Sequence, residues 1–357
     1  VRVRALQQRV RGWNAAAVLI SNPVDVRYLT GFVGDDSWAL ITSRSSTVYI
    51  LSDFRFEQQI QREAPHVTAI MRKGGMADEL AKLVRRCRLW RVAIQSGHVS
   101  LAIRKALVKA LGARSIVHVE DRLIHQRAVK DQKELYLIRR AASITQAAFR
   151  ETIAQIKPGQ SEQQICALLE YTIRHLGADG ASFPSVVAVD ANASLPHAIP
   201  ARKKVRAGGI ILIDWGAKFG GYCADLTRVV ALGSMPSAIK KIYPIVLEAQ
   251  LAAIEVIAPG VALKQVDQVA RDIITKAGYG EQFGHSLGHG IGLDIHEQPV
   301  LAGRSEGVLE PGHVVTVEPG IYLPGVGGVR IEDDVLVTAR GRRVLTDLPK
   351  TLESAII

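Results

Sequence analysis

Apolar residues in the first third of the chain fall into short runs separated by stretches of helical spacing. Residues 15–21 (AAAVLIS) read as a buried strand, and 38–53 (WALITSRSSTVYILSD) as a hairpin turning around Ser43–Ser46. Helical spacing occupies 55–62 and 77–87, residues 91–95 return to strand, 99–112 form an amphipathic helix, and 115–121 are a further strand. Strands alternating with helices predict a small α/β domain over residues 1–125. The polar stretch 122–132 (RLIHQRAVKDQ) predicts a linker into a second domain over 126–357. There a long helix begins at Lys133 and stops at Pro158-Gly159, and Ser161 beside Glu162 opens another that Gly177 closes. Two more helices, 236–258 and 262–277, end at Gly260 and Gly278. Strand pairs lie between and after them. The predicted class is therefore α/β (α+β), its second domain built of two rounds of helices followed by antiparallel strands.

Composition narrows this picture only slightly. At 48% apolar and 22% charged residues, the 357-residue chain has the balance of a globular protein with two cores. No apolar run approaches the eighteen or so residues of a membrane span. The N-terminal VRVRALQQRVRGW lacks an apolar h-region, so it predicts an amphipathic surface helix rather than a secretory signal. Cys87, Cys166 and Cys223 are odd in number and widely spaced, which favours packing roles in a reducing, cytoplasmic setting. A net charge of +11 invites a nucleic-acid reading. The basic clusters at 85–91, 202–204 and 340–343 are short and carry no interleaved aromatic series, so they predict solvated helix ends and turns.

The chemistry concentrates in the last 145 or so positions. Asp214 lies in ILIDWGA and Asp225 in GYCADLTR, two apolar strands joined at Lys218-Phe219-Gly220-Gly221. A two-residue turn at Phe219-Gly220 would set Asp214 directly opposite Asp225, about 5 Å apart on one face. Like charges so placed destabilise a sheet unless a cation lies between them. Glu318 ends VVTVE (314–318) and Glu332 lies in VRIEDDVLVT (329–338), with a Gly- and Pro-rich loop at 319–328 that turns the chain back. His289 sits in GHSLGHGIG, too glycine-rich for a helix, with Ile291, Leu293 and Ile295 alternating like a strand. Four carboxylates and an imidazole share a pocket only if cations hold them. Two divalent ions balance the charge, and a water between them becomes a nucleophile near neutral pH. Carboxylate oxygen with one imidazole favours Mn²⁺, with Co²⁺, Fe²⁺ or Zn²⁺ as substitutes.

At these residues the chain resembles the pita-bread metallopeptidases, the group of methionine aminopeptidase, aminopeptidase P and prolidase. The resemblance implies Asp214, Asp225, His289, Glu318 and Glu332 as metal ligands and a pita-bread catalytic domain. SNPVDVRYLTGFVGDD (21–36) and Asp53-Phe54-Arg55 resemble the creatinase-like N-terminal domain of the proline-directed branch. The implied activity is hydrolysis of the bond between an N-terminal residue and a following proline by a metal-bridging hydroxide. Glu318 moves the proton, His296 or His197 steadies the oxyanion, and His285, Tyr322 and Arg330 line or orient the substrate site. Arg330 is expected to orient Glu332 or to bind a carboxylate.

One departure stands out: the family carries a Ser-Gly pair where Val189-Asp190 stands, ahead of His197, so altered loop geometry is expected. Proline-containing peptides or dipeptides are the implied partners, and the implied assembly is a homodimer, with no specific nucleic acid and no membrane. A prolidase restricted to Xaa-Pro dipeptides remains the alternative within this chemistry. A metal-free binding protein on the same fold is the alternative outside it, and the intact set of five ligands argues against that.

Overall fold

The computed structural model describes residues 2–120 and 123–357, in two compact units, Val1–Gln126 and Arg127–Ile357. The N-terminal unit is a six-stranded mixed sheet ordered Thr68–Met71, Val48–Ser52, Trp38–Thr42, Ala17–Ile20, Val92–Gln95, Ile116–Val119. The hairpin expected over 38–53 is present, with Ile41 opposite Val48 and Trp38 opposite Leu51. Leu19, Leu40 and Leu51 from the sheet pack against Leu80 and Leu83 of helix Met76–Arg86 and Leu107 of helix Leu101–Leu111. Sequence pattern missed helix Pro23–Thr30 and strand Thr68–Met71. The strand is short and half-solvated, with Thr68 and Ala69 exposed and Ile70 and Met71 partly buried. Asp121 and Arg122, at the strand end and the linker start, lie outside the described residues. The rest of the expected linker is not extended: Leu123–Ala128 is a helix. Among the described residues, no helix is long and apolar enough to cross a membrane.

The C-terminal unit repeats one plan twice. Helices Gln132–Ile153 and Glu162–His175 precede the strands of the first half, and Ser237–Glu255 and Leu263–Lys276 those of the second. Both helices of the first half open on reciprocal caps. Asp131 accepts from the Glu134 amide while Glu134 accepts from the Asp131 amide, and Ser161 and Gln164 do the same. The first half's sheet is ordered Leu226–Ala231, Ile210–Trp215, Val186–Val189, and the second's Glu297–Leu301, Gly288–Gly290, Val314–Val317, Asp333–Thr338, Gly341–Val344. Large buried side chains, among them Ile213, Trp215, Tyr243 and Phe283, fill the layers between helices and sheets.

Three expected local geometries are corrected. The turn of the aspartate hairpin is Gly220-Gly221, not Phe219-Gly220, because Phe219 pairs with Tyr222. Both turn residues have positive φ (54° and 81°), as a two-residue hairpin turn of the mirror-image type demands. Asp214 therefore opposes Thr227 rather than Asp225. The slip is two residues, so side-chain parity survives and Asp225 remains on the Asp214 face as a diagonal neighbour. The segment 319–328 is not a loop but part of a hairpin, Gly320–Leu323 against Gly327–Arg330. Residues 292–296 bend rather than form a strand, which begins only at Glu297.

Candidate metal centre

Strand ends from both halves of the C-terminal unit converge here. The first half supplies Asp214 and Asp225. From the second come His289, on the short strand Gly288–Gly290, and Glu318 and Glu332, at the facing ends of Val314–Val317 and Asp333–Thr338. In that ladder Val317 opposes Asp333, and extending the register by one residue brings Glu318 opposite Glu332. The halves are stitched at the site itself: the Glu332 amide donates to the Thr227 carbonyl (3.2 Å), and the Asp225 amide donates to Asp334 Oδ2 (3.1 Å).

Carboxylate oxygens of Asp214, Asp225 and Glu332 lie within 4.8 Å of one another. His289 Nε2 stands 3.3 Å from Glu318 Oε1 and 3.7 Å from Asp225 Oδ2, so Asp225 faces both groups. The Nδ1–H of His289 donates to the Gly290 carbonyl (3.1 Å), which leaves Nε2 as the atom turned inward. Four buried carboxylate oxygens, Asp214 Oδ1, Asp225 Oδ1, Glu332 Oε1 and Asp334 Oδ1, have no hydrogen-bond partner among the described residues. Orphaned anionic oxygens at this depth are expensive unless a cation completes them. Five carboxylates face one another here, counting Asp334, and Arg330 is the guanidinium among them. Two divalent ions would balance the remaining four charges, so the donor set fits them.

The electrostatics say the same. Burial pushes Asp225 well above the usual carboxylate range, and Glu332, Asp214, Glu318 and Asp334 push it further. Glu332 is likewise raised well above its range, by burial and then by Glu318 and Asp214. Asp214 rises through burial despite Arg330. Glu318 goes the other way. Burial favours its neutral form, but the His289 hydrogen bond and the charges of His289, His285 and Arg330 outweigh it and hold the group at about 2.

Of the two parts expected of Arg330, it takes the carboxylate contact directly, donating from Nη2 to Asp214 Oδ2 at 2.6 Å, and connects to Glu332 through Thr227. Thr227 Oγ1 accepts from Arg330 Nε (3.0 Å) and donates to Glu332 Oε2 (2.6 Å). Arg330 Nη1 also donates to the Tyr322 hydroxyl (2.7 Å), which lies 3.0 Å from His285 Nε2. With His285 Nδ1–H on the Ser286 carbonyl (2.8 Å), this is a continuous chain from Arg330 through Tyr322 to a neutral imidazole. Burial keeps the His285 pKa below its ordinary value, consistent with that role. His296 is exposed, its ring edge-on to His289 with centroids 4.4 Å apart, and His197 is exposed on the segment after the 3-10 turn Asp190–Ser194.

Several residues at the centre escaped the sequence reading. Asp334 lies two positions beyond Glu332 and so shares its face, a signal the strand period offered. Asp333, between them, points away into an ion cluster with Arg228 Nη2 (2.8 Å) and Lys350 Nζ (2.5 Å). Arg228 braces the ligand strand by donating to the Glu332 carbonyl (2.6 Å). Thr316 Oγ1 accepts from the His289 amide (3.0 Å) and donates to Glu318 Oε1 (3.1 Å). Behind His296, the buried Glu297 carboxylate is held by Arg127 Nη2 (2.6 Å) and Lys130 Nζ (3.1 Å).

Comparison with known proteins places this geometry. Residues 136–339 match the model of metallopeptidase family M24, and residues 2–129 match the creatinase/prolidase N-terminal domain. An Xaa-Pro dipeptidase of Pyrococcus horikoshii is 35% identical over 339 residues, covering 94% of both sequences. Among solved structures, an Xaa-Pro dipeptidase from Bacillus anthracis superposes with a TM-score of 0.95 at 37% identity, covering 100% of this chain and 99% of that one. An X-Pro aminopeptidase from Thermotoga maritima superposes at 0.90 with 39% identity, covering 99% and 100%. With its catalytic half matched over most of its length and both domains superposed on those structures, the chain belongs to metallopeptidase family M24 and carries a creatinase-like N-terminal domain.

Proposed function

We propose that the chain hydrolyses the peptide bond between an N-terminal residue and a following proline, releasing that first residue as an Xaa-Pro aminopeptidase. The observation that carries the proposal is the convergence of Asp214, Asp225, His289, Glu318 and Glu332, with orphaned buried oxygens among them, beside the Arg330–Tyr322–His285 chain. Two divalent ions held by these five side chains, Mn²⁺ by the hardness of the donors, would supply a water of lowered pKa and polarise the scissile carbonyl. Glu318, ionised at neutral pH, takes the proton of the attacking water and delivers it to the leaving nitrogen. His296 or His197 donates to the developing oxyanion. Tyr322 and His285 form the wall against which the proline ring packs, and Arg330 fixes Asp214 and Tyr322 together. The family resemblance supports a homodimer as the working assembly.

Restriction to Xaa-Pro dipeptides is the second reading, favoured by relatives named Xaa-Pro dipeptidase from Pyrococcus horikoshii and Bacillus anthracis. A paired assay with Mn²⁺, followed by chromatography, separates the two. Release of the first residue from an Xaa-Pro-Xaa tripeptide supports the aminopeptidase, and cleavage of the Xaa-Pro dipeptide alone makes the chain a prolidase. Cleavage of neither substrate rejects proline-directed hydrolysis altogether.

A further inference from the structure

The segment that carries His197 begins and ends on a single carboxylate outside the metal centre. Glu162, fully buried at the first turn of helix Glu162–His175, accepts from the Val189 amide (2.7 Å) and Asn192 Nδ2 (2.9 Å) through Oε1. Its Oε2 accepts from the Ala201 amide (2.8 Å). The three donors are neutral, so the negative charge is held by N–H dipoles and by the helix N-terminus beneath it. A buried carboxylate is a costly way to fill space, and an apolar residue would pack there at less expense. What the carboxylate adds is a tie between two points of the chain twelve positions apart, on either side of His197.

The other contacts of the segment point the same way. Asp190 takes a left-handed backbone (φ 50°), which a glycine would adopt without cost and which Asp tolerates better than most side chains. Its Oδ1 accepts from the Ile210 amide (3.0 Å) and its Oδ2 from Arg206 Nε (2.9 Å), fastening the segment's start to the strand that carries Asp214. Further along, Gly328 allows close approach: a Cβ there would lie 2.4 Å from the Ala193 carbonyl oxygen. Arg330 Nη1 reaches the carbonyl of Pro196, the residue before His197, at 3.3 Å. Glu162 thus sets both ends of a segment whose middle rests on the Arg330 strand.

We infer that Glu162 is a positioning residue for His197, acting on the reaction through the placement of that imidazole. The inference rests on the proposed function only in giving His197 a part in turnover. Glu162→Gln keeps the side chain's size but turns one acceptor into a donor, opposing an N–H of the segment. With Mn²⁺-loaded protein, kcat/KM on an Xaa-Pro peptide is expected to fall roughly tenfold or more in Glu162→Gln. The same substitution is expected to cost less than about twofold when added to His197→Ala, because both act through one group. Bound Mn²⁺ per chain stays at the wild-type value in all three variants, and amide exchange accelerates over 189–201 but not over Ile210–Trp215.

Losses that multiply in the double variant overturn the inference, as does unchanged exchange over 189–201. The exchange arm needs no substrate: faster exchange alongside a wild-type chain inert to Xaa-Pro bonds removes the proposed function and keeps the tie. If Glu162→Gln does not fold, Asn192→Ala removes one of the three donors and carries the same tests, with smaller effects in the same direction.

Discussion

Replacing Asp225 by Asn is expected to change stability in opposite directions with and without metal. Asp225 is 5% exposed, its Oδ1 has no hydrogen-bond partner among the described residues, and four other carboxylates of the site crowd it. In the chelated protein the substitution removes a buried carboxylate that its like-charged neighbours disfavour, so Asp225→Asn gains about 1–3 kcal/mol at pH 8. The folded-state pKa of Asp225 is raised, so the native state holds more protons than the unfolded state above the ordinary carboxylate range. Native stability of the chelated wild type at this group therefore falls as pH rises, and the advantage of Asp225→Asn shrinks as pH drops from 8 towards 5.

With Mn²⁺ the sign reverses. An ion at a hundred times its Kd stabilises the native state by about 2.7 kcal/mol. Unfolding entropy of about 2.1 cal/mol/K per residue, over the roughly 230 residues of the C-terminal unit, gives about 0.5 kcal/mol/K. Each ion then raises Tm by about 5–6 °C, an increment the variant loses wherever Asp225 is a required ligand. Differential scanning fluorimetry at pH 5, 6.5 and 8, with EDTA or Mn²⁺, reads all four combinations of protein and metal. A variant that is less stable than the wild type in EDTA at pH 8, or a wild type whose Tm ignores Mn²⁺, refutes the reasoning.

Three further outcomes follow from named contacts. Arg228→Met strands Asp333 in the interior with Lys350 as its remaining cation and should cost about 3–5 kcal/mol in chemical denaturation, against about 1 kcal/mol or less for the exposed Arg62→Met. Arg330→Lys replaces a planar fork by a point charge that cannot hold Asp214, Thr227 and Tyr322 together, and kcat/KM should fall about 10- to 100-fold in steady-state assays. His313 is held neutral by burial and by Lys130, at about 4, and its Nδ1 accepts from the Glu310 amide. Its unfolded form protonates first as pH falls, so native stability at this group is complete above about 6.5 and declines towards 4. His313→Gln should therefore flatten the loss between pH 7 and 5 by about 1–2 kcal/mol in urea titrations.

Much of this was legible in the chain because strand period fixes faces. Asp214 and Asp225 read correctly as sharing a face although the turn was misplaced by one residue, since the resulting slip was even. The dipeptides Phe219-Gly220 and Gly220-Gly221 compete for that turn, and only the second supplies two residues at ease with positive φ. The hairpin within 319–328 hid behind its own Pro and Gly content, which reads as loop. Thr227 and Thr316 were beyond reach for a different reason: a short polar residue on a strand gains its meaning from partners distant in sequence, Glu332 and Arg330 in the other half for Thr227 and His289 for Thr316. Glu162 is the extreme case, because its donors lie 27, 30 and 39 positions away and nothing in a helix-opening Glu announces them. The Val189-Asp190 departure became intelligible only once Asp190 was seen in a conformation that suits glycine.

Stepwise return of Mn²⁺ to the chelated chain, with bound ion and Xaa-Pro hydrolysis followed in the same samples, tests the central claim most directly. The five converging side chains predict binding that saturates at two ions per chain, with activity rising as the ions bind and none before. Hydrolysis at full rate in the chelated chain, or saturation with the same two ions in Asp225→Asn, would contradict it.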